Sequence, residues 1–172
     1  MEFDKVISER FSVRKFKEEA IKKEDIEQIL KAGHLAPTGC NYQPQRILVI
    51  NSPSSLLKLK ECTKCHFDAP CAFLVCFNRD ESWKRPYDSA LSAPIDATIV
   101  ATHMVLKAQD IGVGSCFVMH FNPFKMREAF NIPENIEPQL LIVMGYPADD
   151  AEPIKMHSTF RDINETVFYE SF

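Results

Sequence analysis

The sequence predicts an α+β domain in which helices flank a central β-sheet. Its elements follow the mixed order helix, helix, strand, helix, strand, helix, strand, helix, strand, which is typical of layered folds and leaves a mixed α/β arrangement as the alternative. Three strands are predicted from continuous apolar runs with β-branched and aromatic residues, at 46–50, 71–77 and 140–144. A chain of 172 residues is expected to form one domain spanning 1–172.

The N-terminal part contains two predicted helices separated by an extended segment. Residues 4–9 form a short helix, and polar and apolar side chains then alternate over residues 10–16 with the period of a strand. Residues 24–35 form the second helix, because apolar side chains recur there at the spacing of one buried stripe. Pro37 ends this helix.

The middle of the chain holds a predicted helix at 54–62, a mobile surface loop at 78–91 and a long apolar helix at 93–111. The loop is polar, charged and interrupted by proline. Ser92 is the expected N-cap of the long helix. The strongly polar residues of this helix form one narrow stripe, so we expect it to be buried in the core or against a second subunit. These residues are Asp96, His103, Lys107 and Asp110.

The C-terminal part begins with a predicted strand at 115–119, which follows the helix-ending glycines Gly112 and Gly114. An amphipathic helix at 123–130 leads to the last core strand, and the tail from residue 154 onward ends in an apolar stretch. The two glycines do not form a dinucleotide-binding fingerprint, because they follow a helix, enter a strand and lack a third glycine.

Composition limits the partners and the compartment. Twenty basic and twenty-four acidic residues give a net charge of −4, which argues against nucleic acid as a partner. No apolar run approaches the roughly 18 residues of a membrane span, so no membrane association is expected. The polar N-terminus predicts a cytoplasmic protein, in which the six cysteines are expected to be free thiols that behave as small apolar residues.

Two polar segments are candidate binding elements. Arg10, Ser12 and Arg14 alternate along about 13 Å of extended backbone, and planar guanidinium groups bind phosphate oxygens in a bidentate manner. A solvated strand edge explains the same pattern. Residues 37–44 supply a hydroxyl, a glycine backbone and two carboxamides, which can complement the donors and acceptors of a flavin ring; a proline-bracketed turn is the structural alternative.

Five segments together resemble the FMN-dependent nitroreductase family, over nearly the whole chain. They are Arg10-Phe-Ser12-Val-Arg14, Ala36-Pro-Thr-Gly-Cys-Asn41-Tyr-Gln43-Pro44, Gly112-Val-Gly114-Ser115-Cys116, Gly145-Tyr146-Pro147 and the late Arg161. Two positions depart from the family pattern. Gln45 stands in place of the usual tryptophan, and His120 stands where glycine is common.

The resemblance implies a nitroreductase-like three-layer α+β fold with a mixed, mostly antiparallel central sheet and a C-terminal arm that contributes to a homodimer. FMN would bind at the subunit interface. The residues that would hold its phosphate are Arg10, Ser12, Arg14 and Arg161. Those that would line its ring and ribityl chain are Pro37, Thr38, Asn41 and Gln43. The main chain of Met119 and His120 would lie near the flavin N5, with Phe117 packing nearby.

The implied function is an FMN-dependent oxidoreductase that transfers hydride from NAD(P)H through the flavin N5 to an electron-poor acceptor, such as a nitroaromatic or a quinone. Because the flavin carries the chemistry in this ping-pong scheme, no catalytic side chain and no metal site are expected. Two alternatives on the same scaffold are a reductive dehalogenase and a flavin-modifying enzyme.

The segment Cys62-Thr-Lys-Cys65-His66 allows functional interpretations other than a flavoenzyme. The C-x-x-C-H spacing occurs at covalent haem attachment sites, and Cys71 adds a third thiolate for a metal ion. A thiol- or metal-binding module centred on Cys62, Cys65 and Cys71 is therefore an alternative function, and redox sensing by the first two cysteines is another. No hydrolase or kinase motif occurs.

Overall fold

A computed structural model describes all residues of the chain, Met1–Phe172. Its centre is a four-stranded sheet in the order β1-β2-β4-β3, in which all neighbouring strands are antiparallel. The strands are β1 Gln45–Ile50, β2 Cys71–Asn78, β3 Gly114–Val118 and β4 Ile136–Gly145. The predicted α+β class is confirmed.

Five α-helices surround the sheet, each within one or two residues of its predicted bounds. They are α1 Phe3–Glu9, α2 Lys23–His34, α3 Pro53–Cys62, α4 Ala93–Asp110 and α5 Pro123–Phe130. Short 3-10 turns occur at Gly39–Asn41, Arg79–Glu81, Lys155–Ser158 and Ile163–Glu165. No helix of the structure has both the length and the apolar character needed to cross a membrane.

Two hydrophobic clusters cover the two faces of the sheet and make three layers. Every residue of β2 is buried, and its side chains alternate between the clusters. Phe73 and Val75 pack with residues of α2 and α4, whereas Leu74 packs with residues of α3 and α5. The continuous apolar runs of the sequence therefore mark strands that are covered on both sides.

The predicted extended segment at 10–16 attaches to the start of β3 and to the residues just after β4, which are neighbours in the sheet. Val13 N–H donates to the carbonyl oxygen of Ser115 at 3.0 Å, and Ser12 forms a parallel bridge with Ser115. Lys17 N–H donates to the carbonyl oxygen of Tyr146 at 2.9 Å. The Ser12–Ser115 bridge is parallel, whereas the strand pairs of the sheet are all antiparallel.

One prediction for the start of α4 is wrong. Ser92 is not a side-chain N-cap, because its backbone is helical and its hydroxyl donates to Asp96 Oδ2 at 2.8 Å. The expected burial of the helix is confirmed, and it includes Asp96 of the polar stripe, which is only 3% exposed. The exposed face of the helix carries Ile95, Thr98 and Thr102.

The predicted loop at 78–91 is more ordered than the sequence indicates. Its first residue, Asn78, belongs to β2, and a 3-10 turn follows. Lys84 and Leu91 then form an antiparallel bridge, and Arg85 N–H donates to the carbonyl oxygen of Ala90 at 2.9 Å. The segment is therefore a small hairpin that leads back to α4.

Candidate functional site

The side chains of Arg10 and Arg14 differ from those of all other arginines in the chain. The sequence contains seven arginines, and five of them pair with a carboxylate: Arg46, Arg79, Arg85, Arg127 and Arg161. Arg10 and Arg14 have no carboxylate within ion-pairing distance. Unpaired guanidinium groups on either side of a serine form a donor set suited to a phosphate.

The segment that carries these arginines lies along β3. The guanidinium of Arg14 lies 6.0 Å from the ring centroid of Phe67, within the range of a cation–π contact. Behind it, burial raises the pKa of the Cys116 thiol, while Arg14, a hydrogen bond with Ser12, and Arg10 act in the opposite direction. Both arginines therefore contribute positive potential at the same end of the sheet.

Small cavities lie beside Ser12 and Arg14. One of about 160 Å³ is lined by Phe11, Ser12, Arg14, Ile154, Met156 and His157. The C-terminal segment closes it, and the rings of Phe11 and His157 meet edge to face at 6.3 Å. Ligand sites usually measure about 300–1,000 Å³, so this cavity of a single chain is too small for a whole mononucleotide.

The loop at 37–44 has a strained backbone. Three non-glycine residues of the loop adopt the left-handed backbone conformation: Cys40 at φ 49°, Asn41 at φ 57° and Gln43 at φ 52°. Such conformations cost about 1–3 kcal/mol each and cluster at functional sites. The next residue after the loop, Gln45, has a buried Oε1 atom without a hydrogen-bond partner.

Asp96 fixes this strained loop to α4. Its Oδ1 accepts the backbone N–H of Gly39 at 2.9 Å, and its Oδ2 accepts the Ser92 hydroxyl. Within the loop, the Gln43 N–H donates to Thr38 Oγ1 at 3.1 Å. Sequence reasoning missed the role of Asp96, since the contact joins residues 57 positions apart.

The two candidate segments lie at opposite ends of α4 within one chain. Gly39 is bonded to Asp96 in the first turns of the helix. Ser12 is bridged to Ser115, just after the helix ends at Asp110. The helix covers about 21 Å between Asp96 and Asp110, at about 1.5 Å per residue. A single chain therefore does not bring the two segments together.

The end of β3 presents the third group of predicted residues. Phe117 is 41% and Met119 68% exposed, and His120 is also exposed. The backbone N–H groups of Met119 and His120 donate to no other group of the chain, whereas the His120 carbonyl accepts the Thr63 hydroxyl. Two free amides at one turn are suited to a ligand acceptor.

In a single chain Arg161 pairs with a nearby carboxylate and forms no hydrogen bond with Ser12. Its side chain is 79% exposed and its ion pair is with Glu165, at 3.5 Å. Ile154 and His157, which precede Arg161 by seven and four residues, line the same cavity as Phe11 and Ser12. The meeting of Arg161 with the N-terminal arginines stays a prediction.

The alternative of a metal-binding module is wrong in this structure. No group of three or more cysteine, histidine or acidic side chains is arranged to hold a metal ion. Cys71 is buried in β2, where burial raises the pKa of its thiol to about 12, and Cys62 is also buried with a raised pKa. All six cysteines are free thiols, as expected, but Cys40 is exposed and Cys65 is half-buried.

The comparisons with known proteins agree with the fold. The family model of the nitroreductase family matches residues 7–69 and 60–146. A protein of Archaeoglobus fulgidus with the provisional name NADH dehydrogenase/NAD(P)H nitroreductase is 32% identical over 155 residues, which cover 86% of this chain and 87% of that protein.

Solved structures give the same result. A nitroreductase family protein of Clostridium difficile 630 superposes with a TM-score of 0.94 at 38% identity, covering 100% of both chains. An FMN-dependent nitroreductase of Clostridium difficile R20291 shares the fold, with a TM-score of 0.79 at 24% identity over 97% of this chain and 98% of that one. The chain therefore belongs to the nitroreductase family of NAD(P)H-dependent oxidoreductases.

Proposed function

We propose that this protein binds FMN and transfers reducing equivalents from NAD(P)H to an electron-poor acceptor, such as a nitroaromatic or a quinone. The observation that carries this proposal is that Arg10 and Arg14, on either side of Ser12, are the arginines without a carboxylate partner. Arg10 is half-buried and Arg14 is exposed, and two guanidinium groups that stand without a counter-ion on either side of a hydroxyl favour an anionic ligand.

The residues of the chain fit the parts of FMN. Arg10, Ser12 and Arg14 would hold the phosphate, with Arg161 as a further cation. The free amides of Met119 and His120 would donate to the ring edge beside Phe117. When bound, the flavin would supply hydride transfer between NAD(P)H and the acceptor. The chain itself would bind and orient the ring and place donors where negative charge develops.

The carboxamide loop would complete the site from a second subunit. The loop that carries Pro37, Thr38, Asn41 and Gln43 and the arginine segment lie at opposite ends of α4. A homodimer in which each site combines the arginine segment of one copy with the loop of the other explains this separation. The small size of the cavities beside Ser12 and Arg14 supports the same arrangement.

Exposed apolar side chains of the C-terminal arm support a homodimer. Large hydrophobic residues are at least two-thirds exposed over the last stretch of the chain: Met156, Phe160, Ile163, Tyr169 and Phe172. The outer face of α4, with Ile95, is a second exposed apolar surface. Several exposed large apolar side chains in one segment favour an interaction site, and covering them with a second copy would also enclose the flavin.

The test is a comparison of FMN with riboflavin, which lacks the phosphate. We expect the purified protein to be yellow and to bind FMN, and Arg14→Ala to weaken FMN binding about 10- to 100-fold, since a charge-assisted hydrogen bond contributes about 1.5–3 kcal/mol. Riboflavin affinity should change little. Isothermal titration or flavin fluorescence measures both constants.

Arg85→Ala is the matched control, because it also removes one exposed arginine but one that is paired with Asp88. It should leave the affinity for FMN unchanged. If Arg14→Ala and Arg85→Ala bind FMN equally well, the phosphate role is refuted. A colourless protein that takes up no added FMN would refute the function as a whole.

A further inference from the structure

Cys65 and His120 form a thiol–imidazole pair that the flavin proposal does not use. Cys65 Sγ lies 3.8 Å from His120 Nδ1, within hydrogen-bonding distance for sulfur. Cys65 is half-buried, whereas Cys62, three residues before it, and Cys116 in β3 are buried. A partly exposed thiol beside a histidine is an arrangement in which cysteine reacts as a nucleophile.

The backbone around the pair holds the two side chains together. The Cys65 N–H donates to Thr63 Oγ1 at 3.0 Å, and the Thr63 hydroxyl in turn donates to the His120 carbonyl oxygen. Asn122 N–H donates to the Cys62 carbonyl oxygen at 2.8 Å. The turns at 62–65 and 120–122 are thus docked on each other, so the pair is fixed by the fold.

An open cationic groove reaches the pair through His120, whereas Cys65 lies next to its lining residue Lys64 and is not itself part of the lining. It has a volume of about 570 Å³, which is large enough for a small molecule. Its charged lining consists of Lys60, Lys64, Lys125 and one acid, Glu61, and His120 forms part of its wall. Lys60 is engaged by Asp68, which leaves Lys64 and Lys125 to attract an anion.

We propose that Cys65 is a modification site for small anionic disulfides, which the groove binds and His120 activates. The Cys65 thiol gives its proton to His120 Nδ1, and its sulfur attacks one sulfur of the disulfide. A new S–S bond forms to Cys65 as the disulfide's own S–S bond breaks, and the departing thiolate takes up the proton. The two sulfurs of the reagent are the oxidant, so no further reactant is needed.

The test measures the rate of mixed-disulfide formation by intact-protein mass spectrometry in a Cys40→Ser background, which removes the exposed thiol. Oxidised glutathione is the anionic reagent and bis(hydroxyethyl) disulfide the neutral one. We expect one adduct, mapped to Cys65 and absent after Cys65→Ser. His120→Gln should slow both reagents about tenfold or more, because it removes the proton acceptor.

A charge variant separates the groove from the pair. Lys64→Gln with Lys125→Gln should slow oxidised glutathione about threefold or more and leave the neutral disulfide unchanged, since only the anion is attracted. Thermal unfolding of each variant checks that the fold is kept. Unchanged rates in His120→Gln, or an adduct on a cysteine other than Cys65, would overturn the proposal. No step of the exchange involves the flavin, but the His120 backbone is proposed to lie beside it, so the rates are compared at one fixed FMN occupancy and the result stays separate from the test of FMN binding.

Discussion

At the scale of single residues, Asp96 is the side chain that connects the core to the candidate site. Its two oxygens accept hydrogen bonds from the Gly39 backbone and from the Ser92 hydroxyl, in a position that is nearly inaccessible to water. A buried donor that loses its acceptor costs about 1–3 kcal/mol. The strained loop that begins at Gly39 therefore depends on a residue that touches no ligand.

Asp96→Ala is expected to lower the free energy of unfolding by about 1–3 kcal/mol and to weaken FMN binding. Asp96→Asn is the matched control, since its carboxamide oxygen can accept from Gly39 while its NH₂ group donates to the Ser92 oxygen. The measurements are urea unfolding and an FMN titration. An Ala variant as stable as the Asn variant would show that these hydrogen bonds do not hold the loop.

At the scale of elements, the close packing of α2 on α4 depends on Gly33. A Cβ atom built there would lie 2.8 Å from Met104 Cγ and 3.3 Å from Val100 Cγ1, both closer than ordinary van der Waals contact. Gly33→Ala is therefore expected to destabilise the protein. Overpacking costs about 1–3 kcal/mol, which exceeds the gain of about 1 kcal/mol that alanine brings to a helix.

A double-mutant cycle with Met104→Ala tests this cause. Removing the Met104 side chain makes room, so Gly33→Ala should cost less in that background than in the wild type. Melting temperatures at one fixed protein concentration give the comparison. Equal costs in the two backgrounds would mean that Met104 is not the obstacle.

Asp110, at the C-terminal end of α4, is expected to make the stability of the fold depend on pH. A hydrogen bond from Lys107, with a second from the N-terminal ammonium, lowers the pKa of Asp110 to about 2 from its ordinary value of 3.8. The folded state therefore favours the ionised carboxylate. Its stabilising contribution is present above about pH 4 and is lost as the pH falls towards 2.

Asp110→Asn should therefore lower the melting temperature at pH 6, and the difference from the wild type should vanish between about pH 4 and pH 2. Glu18→Gln is the control, since it removes one negative charge from an exposed residue without an ion pair. A difference between Asp110→Asn and the wild type that persists at pH 2 would contradict the assignment.

The elements were predictable from sequence because their signals are local, whereas the site was predictable only in part. The apolar run of β2 and the stripe of α2 each lie within about a dozen residues. The bond from Gly39 to Asp96 joins distant residues, and Asp96 reads as a surface helix position by periodicity alone. The left-handed Cys40 is not signalled by its residue type either, because cysteine does not prefer that region.

At the scale of the whole molecule, the main feature is that the two polar segments of one chain do not meet. Ser12 is fixed beside the start of β3 and Gly39 beside the start of α4. The lack of a large cavity at either segment and the exposed C-terminal arm have the same explanation if two copies associate. Sequence spacing cannot reveal this, because residues that share a site across an interface are not neighbours in either chain.

Heterodimers test whether each flavin site combines two chains. One parent carries Arg10→Ala and Arg14→Ala, the other Asn41→Ala and Gln43→Ala, and each parent alone should retain little FMN. With a shared site, the heterodimer of these parents has one site with no change and one with all four, so FMN occupancy should return to about half of the wild-type value. A heterodimer of wild type with a chain carrying all four changes is the control, and both of its sites should be impaired.

If each site belongs to a single chain, the two results are reversed, because the first heterodimer would then have two impaired sites and the control one intact site. Absorbance of bound flavin in heterodimers purified through two different affinity tags distinguishes the arrangements.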